Sequence, residues 1–226
     1  MAAVSSNNVV SEGLVLCWDG ANRVSYPATG SSLRDISSTY PDATIANATF
    51  MSGNGGYFDF DGSGDYIQLG STDGDSFTDT DDMSLSIWII LRSDSNQGVI
   101  GRGSWSSLTN GWSLWEYGGL KFWSTDGSSE QYVRWNPASY PSTWTHCLVT
   151  RDMSSAVLKM YINGEVFDTE TGLNDPLKTN NGLMVGKLQG TFWLDAALGP
   201  IHIYNRPLTH AQVLQNYNAT KGRFGL

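Results

Sequence analysis

The sequence predicts an all-β fold: two antiparallel sheets packed face to face as a sandwich, with one short helix at the C-terminal end. Three observations carry that prediction. Short segments that alternate apolar and polar residues recur through the 226 residues, separated by turn residues at the spacing of a sandwich. Of the 22 acidic residues 17 are Asp, a residue of turns and a poor strand former. Helix start signals occur in one place, near residue 209.

Length and composition fit a single domain, 1–226, with an N-terminal arm over 1–12. Hydrophobic residues at 40% suffice for a sizeable core, and charged residues at only 15% exclude a disordered or coiled-coil chain. The net charge of −9 argues against nucleic acid, whose phosphates need clustered Lys and Arg, and against an anionic membrane surface. No apolar run approaches the ~20 residues that span a bilayer. Residues 1–13 have no basic region and no apolar core, so they are not read as a secretory signal. The sequons at Asn47 and Asn218 then carry no weight.

Residues 13–20 open the fold. Leu14, Leu16 and Trp18 alternate with Val15, Cys17 and Asp19, so both faces are expected to be covered. Residues 21–43 form a long polar loop that a compact domain must hold down; Leu33 and Ile36 are its expected anchors. A candidate strand follows at 43–50. The stretch 58–70 organises the chain and reads as a hairpin. Phe58 and Phe60 point one way; after the Gly62-Ser63-Gly64 turn, Ile67 and Leu69 share one face and Tyr66 and Gln68 the other.

Residues 84–91 are the best single strand. Leu85, Ile87, Ile89 and Leu91 form one apolar row and Trp88 and Ile90 the other, which predicts a central strand covered on both sides. Shorter strands follow near 98–102, 111–117, 119–125 and 131–135, then 144–151 and 157–164. Asn163-Gly164 fits the two positive-φ positions of a type I′ turn. Residues 182–187 and 196–204 complete the strands. The helix occupies 208–217, ending near Asn216. Thr209 and Gln212 have capping-box spacing, and Leu208 with Val213 forms a hydrophobic staple. Cys17 and Cys147 sit in apolar runs 130 positions apart; a disulfide is open, with buried free thiols the default.

Six stretches, 13–30, 58–70, 83–89, 144–152, 161–165 and 198–224, together resemble the concanavalin A-like lectin/glucanase superfamily in its laminin-G-like branch. The last, LGPIHIYNRPLTHAQVLQNYNATKGRF, looks like the closing strand and helix of single-domain proteins in tailed-phage virions, those of marine cyanophages especially. The resemblance implies a jelly-roll sandwich. Cys17 departs from it, since relatives often carry an aromatic or polar residue there. The segment 104–142, with Trp105, Trp112, Trp115, Trp123 and Trp135, matches no motif of the family. Loops carry the individual function in such folds.

The superfamily's glucanases place an acid and a nucleophile ~5 Å apart in one cleft. The nearest string here is Glu165, Asp168 and Glu170. Plain alternation puts Glu165 on one face and the other two on the opposite face, so all three read as solvent-facing carboxylates. Residues 182–188 echo a P-loop with one residue too few between the glycines and no Ser or Thr after Lys187. His146, His202 and His210 form no metal-ligand pair in sequence.

Calcium is the metal the acidic loops suit best, and the resemblance implies it at a sandwich rim. Asp59, Asp61 and Asp65 form one candidate cluster; Asp73 and Asp75, with Asp79, Asp81 and Asp82, form the other. Ordinary turn chemistry explains both equally simply. A glycan would stack on exposed aromatic rings, for which Trp105, Trp112, Trp115 and Tyr117 are the candidates. Trp112 and Glu116 share one face and Trp115 and Tyr117 the other, and one of those faces must be core. Core packing and inter-subunit contact compete for the same rings.

The expectation is a non-enzymatic virion structural protein of a tailed phage, displayed on the particle as a head decoration or a tail or fibre appendage. It would assemble in the host cytoplasm and attach to other virion proteins, or to copies of itself, through loops or termini. No stalk, coiled coil or catalytic partner domain lies between Met1 and the closing helix, which favours attachment to a larger assembly. The alternative is a lectin or adhesin for host surface glycans; a glycoside hydrolase comes third.

Overall fold

The computed structural model describes residues 8–70, 82–102, 111–125, 130–173, 182–188 and 191–226. In chain order the strands are β1 (Leu14–Trp18), β2 (Ser32–Leu33), β3 (Ala43–Ala46), β4 (Thr49–Met51), β5 (Tyr57–Asp61), β6 (Tyr66–Leu69), β7 (Met83–Leu91), β8 (Gln97–Arg102) and β9 (Gly111–Glu116). They continue as β10 (Leu120–Thr125), β11 (Glu130–Trp135), β12 (Thr145–Asp152), β13 (Val157–Ile162), β14 (Glu165–Thr171), β15 (Leu183–Val185), β16 (Lys187–Leu188), β17 (Phe192–Trp193) and β18 (Asp195–Tyr204). Helix α1 (His210–Thr220) closes the chain.

Two large sheets hold all but one pair of these strands. The first runs β14-β13-β12-β7-β18-β5-β4, with β1 also on β18. The second runs β11-β10-β9-β8-β15-β6-β3-β2, and β16-β17 is a separate ribbon. Every pairing among the described residues is antiparallel. The core lies between the sheets. Phe58, Phe60, Leu85, Ile87 and Ile89 enter it from the first sheet, and Ile67, Leu69, Leu114 and Phe122 from the second.

The first sheet is also covered on its outer side, as the double apolar rows of β7 require. Val10, Leu208 and Val213 pack there on Leu148, Tyr161 and Tyr204. Phe224 stacks on Trp88 with ring centroids 4.3 Å apart. The Thr209–Gln212 capping box forms as expected. The helix runs to Thr220 rather than Asn216, because Thr220 Oγ1 accepts the Trp88 indole N–H at 2.8 Å and so fixes the last turn to the sheet. Asn163 and Gly164 adopt φ of 52° and 88°, the backbone their hairpin demands.

Three expectations change. The stretch 58–70 is not a hairpin: β5 pairs with β4 and β18, whereas β6 pairs with β3 and β15, in the other sheet. Residues 62–64 turn a corner between sheets, and both apolar rows still face the common core. The candidate strand at 43–50 likewise splits into β3 and β4 at Asn47, whose φ is 61°. In the long loop after β1, Leu33 is buried as expected but Ile36 is only partly so. Asp35 does the anchoring instead: its carboxylate accepts from the amides of Cys17, Ser37, Thr39 and Tyr40.

Cys17 and Cys147 are free and buried. Cys17 in β1 stands opposite His202, on the outer side, while Cys147 in β12 belongs to the inter-sheet core, three strands away. At ~4.8 Å per strand they are about 14 Å apart, far beyond disulfide reach.

Candidate binding site on the second sheet

The outer side of the second sheet has a cover of its own. Part of it lies under the β16-β17 ribbon: Leu188 packs so tightly over Gly98 that a Cβ there would meet Leu188 Cγ at 2.5 Å. Phe192 of the same ribbon lies against Trp115, centroids 5.0 Å apart. Beyond the ribbon, β9, β10 and β11 turn a second face away from the core, on which Tyr117, Tyr132 and Arg134 are exposed. Their registers place Ser113 opposite Trp123, and Trp115 opposite Lys121. On the next strand Tyr132 stands opposite Trp123 and Arg134 opposite Lys121.

On this face lies a pocket of about 150 Å³ lined by Ser113, Trp115, Tyr117, Lys121, Trp123 and Glu130. Trp115 and Trp123 are each only 6% exposed and form its packed floor, whereas Tyr117 is 56% exposed beside them. Trp115 is fixed by its indole N–H, which donates to Asn96 Oδ1. The Trp123 indole N–H is buried and has no hydrogen-bond acceptor among the described residues. The Lys121 ammonium lies 3.8 Å from the centre of the Tyr132 ring. Burial lowers the Lys121 pKa; Glu130 opposes the shift and Arg134 adds to it. Apolar ring faces with a cation, a carboxylate and hydroxyls around them are what a sugar needs: stacking for its C–H face and partners for its hydroxyls.

Of the four rings proposed from sequence, Trp115 and Tyr117 lie in this pocket. Trp112 does not. It is 1% exposed and stacks on Phe122 inside the sandwich, so it has no face to offer a ligand. Alternation separated the two faces correctly, and the core took the face of Trp112. Trp105 lies outside the described residues. Lys121 and Trp123 were missed as site residues, although their alternation with Phe122 carried the signal.

Glu116, on the core side of β9, reaches a separate cleft of about 420 Å³ at one end of the sandwich, with Asp94, Asn136 and Tyr140 among its lining residues. Glu116 Oε1 accepts from the Gly119 amide and the Tyr140 hydroxyl, both at 3.2 Å, while buried Oε2 has no partner among the described residues. Burial raises the Glu116 pKa, against the pull of those two donors.

The remaining acids are engaged elsewhere. Arg92 bridges Asp59 and Asp195. Asp65 Oδ2 accepts from the Asp61 amide, and Asp61 Oδ1 from the Ser63 amide, so the first calcium candidates brace the inter-sheet corner. Asp73 and Asp75 lie outside the described residues. Among the described residues no three His, Cys, Asp or Glu side chains are gathered as for a metal ion.

The expected split of Glu165 from Asp168 and Glu170 is corrected. A bulge at Phe167 shifts the alternation by one, so all three acids pair across from Ile162, Met160 and Leu158 and share one side of β14. That strand is an exposed edge, and Asp168 is held by the Arg134 and Thr169 amides. No helix among the described residues is long and apolar enough to cross a membrane.

Comparison with known proteins agrees with this architecture. Residues 61–214 match the model of a laminin-G-like family of the concanavalin A-like lectin/glucanases superfamily. No curated protein matches significantly. Among solved structures, the binding domain of botulinum neurotoxin serotype D superposes with a TM-score of 0.73 at 16% identity, over 93% of this chain and 53% of that one. The binding domain of Paraclostridial Mosquitocidal Protein 1 gives 0.74 at 16% identity, over 92% and 52%. This chain thus spans about half the length of those toxin domains. Domain 4 of AbnA, a GH43 extracellular arabinanase from Geobacillus stearothermophilus solved with arabinotriose, gives 0.69 at 19% identity, over 92% and 98%. At such identities the likeness is one of fold, and the family match over most of the chain settles the rest: this protein belongs to the concanavalin A-like lectin/glucanase superfamily.

Proposed function

We propose that the protein is a non-catalytic binding module that takes a glycan in the pocket of Trp115, Tyr117, Lys121 and Trp123. The observation that carries this reading is the pocket itself: packed indoles beneath an exposed tyrosine, on the sheet face turned away from the core. The arabinotriose complex of the arabinanase domain is a sugar complex on the same fold and supports the reading. The test is a glycan array followed by calorimetry. Tyr117→Ala is expected to weaken binding about tenfold or more, a loss of ~1.4 kcal/mol, without changing Tm. Unaltered binding by Tyr117→Ala, or no glycan bound at all, would overturn it.

A second reading concerns where the module works: as a surface component of a tailed-phage particle, attached to other virion proteins. The resemblance of 198–224 to virion proteins supports it. So does the edge strand β14, where Val166 and Phe167 are 47% and 51% exposed in a segment otherwise polar. Mass spectrometry of purified particles tests this reading, together with pull-down of other particle proteins by the wild type and by Val166→Ser/Phe167→Ser. Absence from particles ends it.

A further inference from the structure

Lys121 and Arg134 stand directly opposite each other on β10 and β11. Directly opposed residues hold their Cβ atoms ~5 Å apart, and like charges in that position destabilise a sheet. The chain as a whole is acidic, with 13 basic residues against 22 acidic, so carboxylate partners are plentiful. Arg34, Arg92, Arg206 and Arg223 each have one. Among the described residues neither Lys121 nor Arg134 forms an ion pair. Two cations are therefore held side by side at the aromatic pocket without an ion-pair partner among the described residues, and Glu130 offsets their repulsion at Lys121 only from a distance.

Their placement is directional. The Arg134 stem lies over Gly119, where a Cβ would meet Arg134 Cγ at 2.9 Å and Cδ at 3.0 Å. Its guanidinium is thereby carried towards the Tyr117–Gly119 turn. Glu130 lines the other end: it pairs with Thr125, four residues along β10 from Lys121, or ~13 Å at the strand rise. The Lys121 ammonium lies over the Tyr132 ring, between the Arg134 end of the pocket and the Glu130 end.

We propose that the ligand of this pocket is an acidic glycan, whose carboxylate or sulfate group is held between Lys121 and Arg134 while its ring lies on Tyr117. The proposal rests on the reading of the pocket as a glycan site. An anion between the two cations converts their repulsion into paired attraction, and the guanidinium fork suits either oxyanion. Glu130 at the opposite end accepts hydroxyl protons and turns away a second anionic group, which favours a chain in which acidic and neutral sugars alternate.

Matched oligosaccharides test it. Oligogalacturonate against its methyl ester reads the carboxylate source, and a sulfated galactan oligosaccharide against its desulfated form reads the sulfate source. The acidic member of at least one pair is expected to bind tenfold or more tightly, with a preference that shrinks as salt rises from 50 to 300 mM. Lys121→Gln and Arg134→Gln are each expected to cut that preference several-fold, with Tm unchanged or raised by relief of the repulsion. Neutral members bound as tightly as acidic ones would overturn the acidic assignment and leave the glycan reading standing. An acidic preference that survives the Lys121→Gln/Arg134→Gln pair would also overturn it, by placing the anion elsewhere. Failure to bind any glycan on the array, neutral or acidic, would end both.

Discussion

Ser86 Oγ and His146 Nε2 share a hydrogen bond of 2.9 Å, sealed beneath the closing helix. The pair has the atoms of a serine–histidine dyad and none of its circumstances. Among the described residues His146 Nδ1 has no partner and no carboxylate orients the ring, and Trp88 and Tyr217 lie across it. Burial, together with the neighbouring His202, depresses the His146 pKa to about 3. His202 is held at about 4, again chiefly by burial.

That depression fixes how stability responds to acid. Below about pH 6.5 the unfolded chain protonates both rings while the folded chain keeps them neutral, so the unfolded state binds more protons. Stability is complete above pH 6.5 and falls as pH drops towards the folded values, by up to ~1.4 kcal/mol per pH unit for each ring. Urea titrations at pH 7.5, 6.0 and 5.0 check this, and His146→Gln is expected to roughly halve the slope. A flat profile in the wild type would contradict the neutral burial of these histidines.

Glu116 carries the opposite sign. Its raised pKa means that its contribution is fully present below about pH 4.5 and is lost as pH rises through the folded value. Near pH 7 the carboxylate is a liability, with one buried oxygen that has no partner among the described residues. Glu116→Gln keeps an acceptor for the Gly119 amide and the Tyr140 hydroxyl. It is expected to stabilise the protein by on the order of 1 kcal/mol at pH 7 and by less at pH 4, measured by denaturant unfolding.

The thiols of Cys17 and Cys147 are pushed up to about 12, in both cases chiefly by burial, so neither is a thiolate at ordinary pH. Native protein at pH 8 is expected to react with a disulfide-exchange reagent only as fast as it unfolds, and to release two equivalents in denaturant. Oxidants should leave Tm where it is.

Phe224 is the last large side chain of the core, between Trp88 and Trp144. Phe224→Ala is expected to cost about 3 kcal/mol, as other buried phenylalanine truncations do, and to shift tryptophan emission to the red. A loss below about 1 kcal/mol would mean that the tail is not part of the folded unit.

Local signals in the sequence were read correctly because nothing distant competes with them. The Thr209–Gln212 cap, the Asn163-Gly164 turn and the double apolar row of β7 each follow from neighbouring residues alone. The 62–64 corner could not be told from a hairpin, because both need alternating strands joined by glycines. What decides it is that Asp61 pairs with Asp195, far along the chain. The site was legible to the same degree. Alternation grouped Trp115 with Tyr117 and set Trp112 apart, but which face turns inward depends on the opposing sheet. Phe167 misled for a simpler reason: one inserted residue reverses every side chain that follows it.

Both ends of the described chain rest on the outer side of the first sheet. The Val10 amide is tied to Asn216 there, and Phe224 is stacked on Trp88. The Tyr117 pocket opens on the opposite side of the molecule, a full sandwich thickness away. Anything that grips this protein by the backbone near residue 8 or residue 226 would hold it palm outward, with the Tyr117 pocket turned to the surroundings and away from its own mounting.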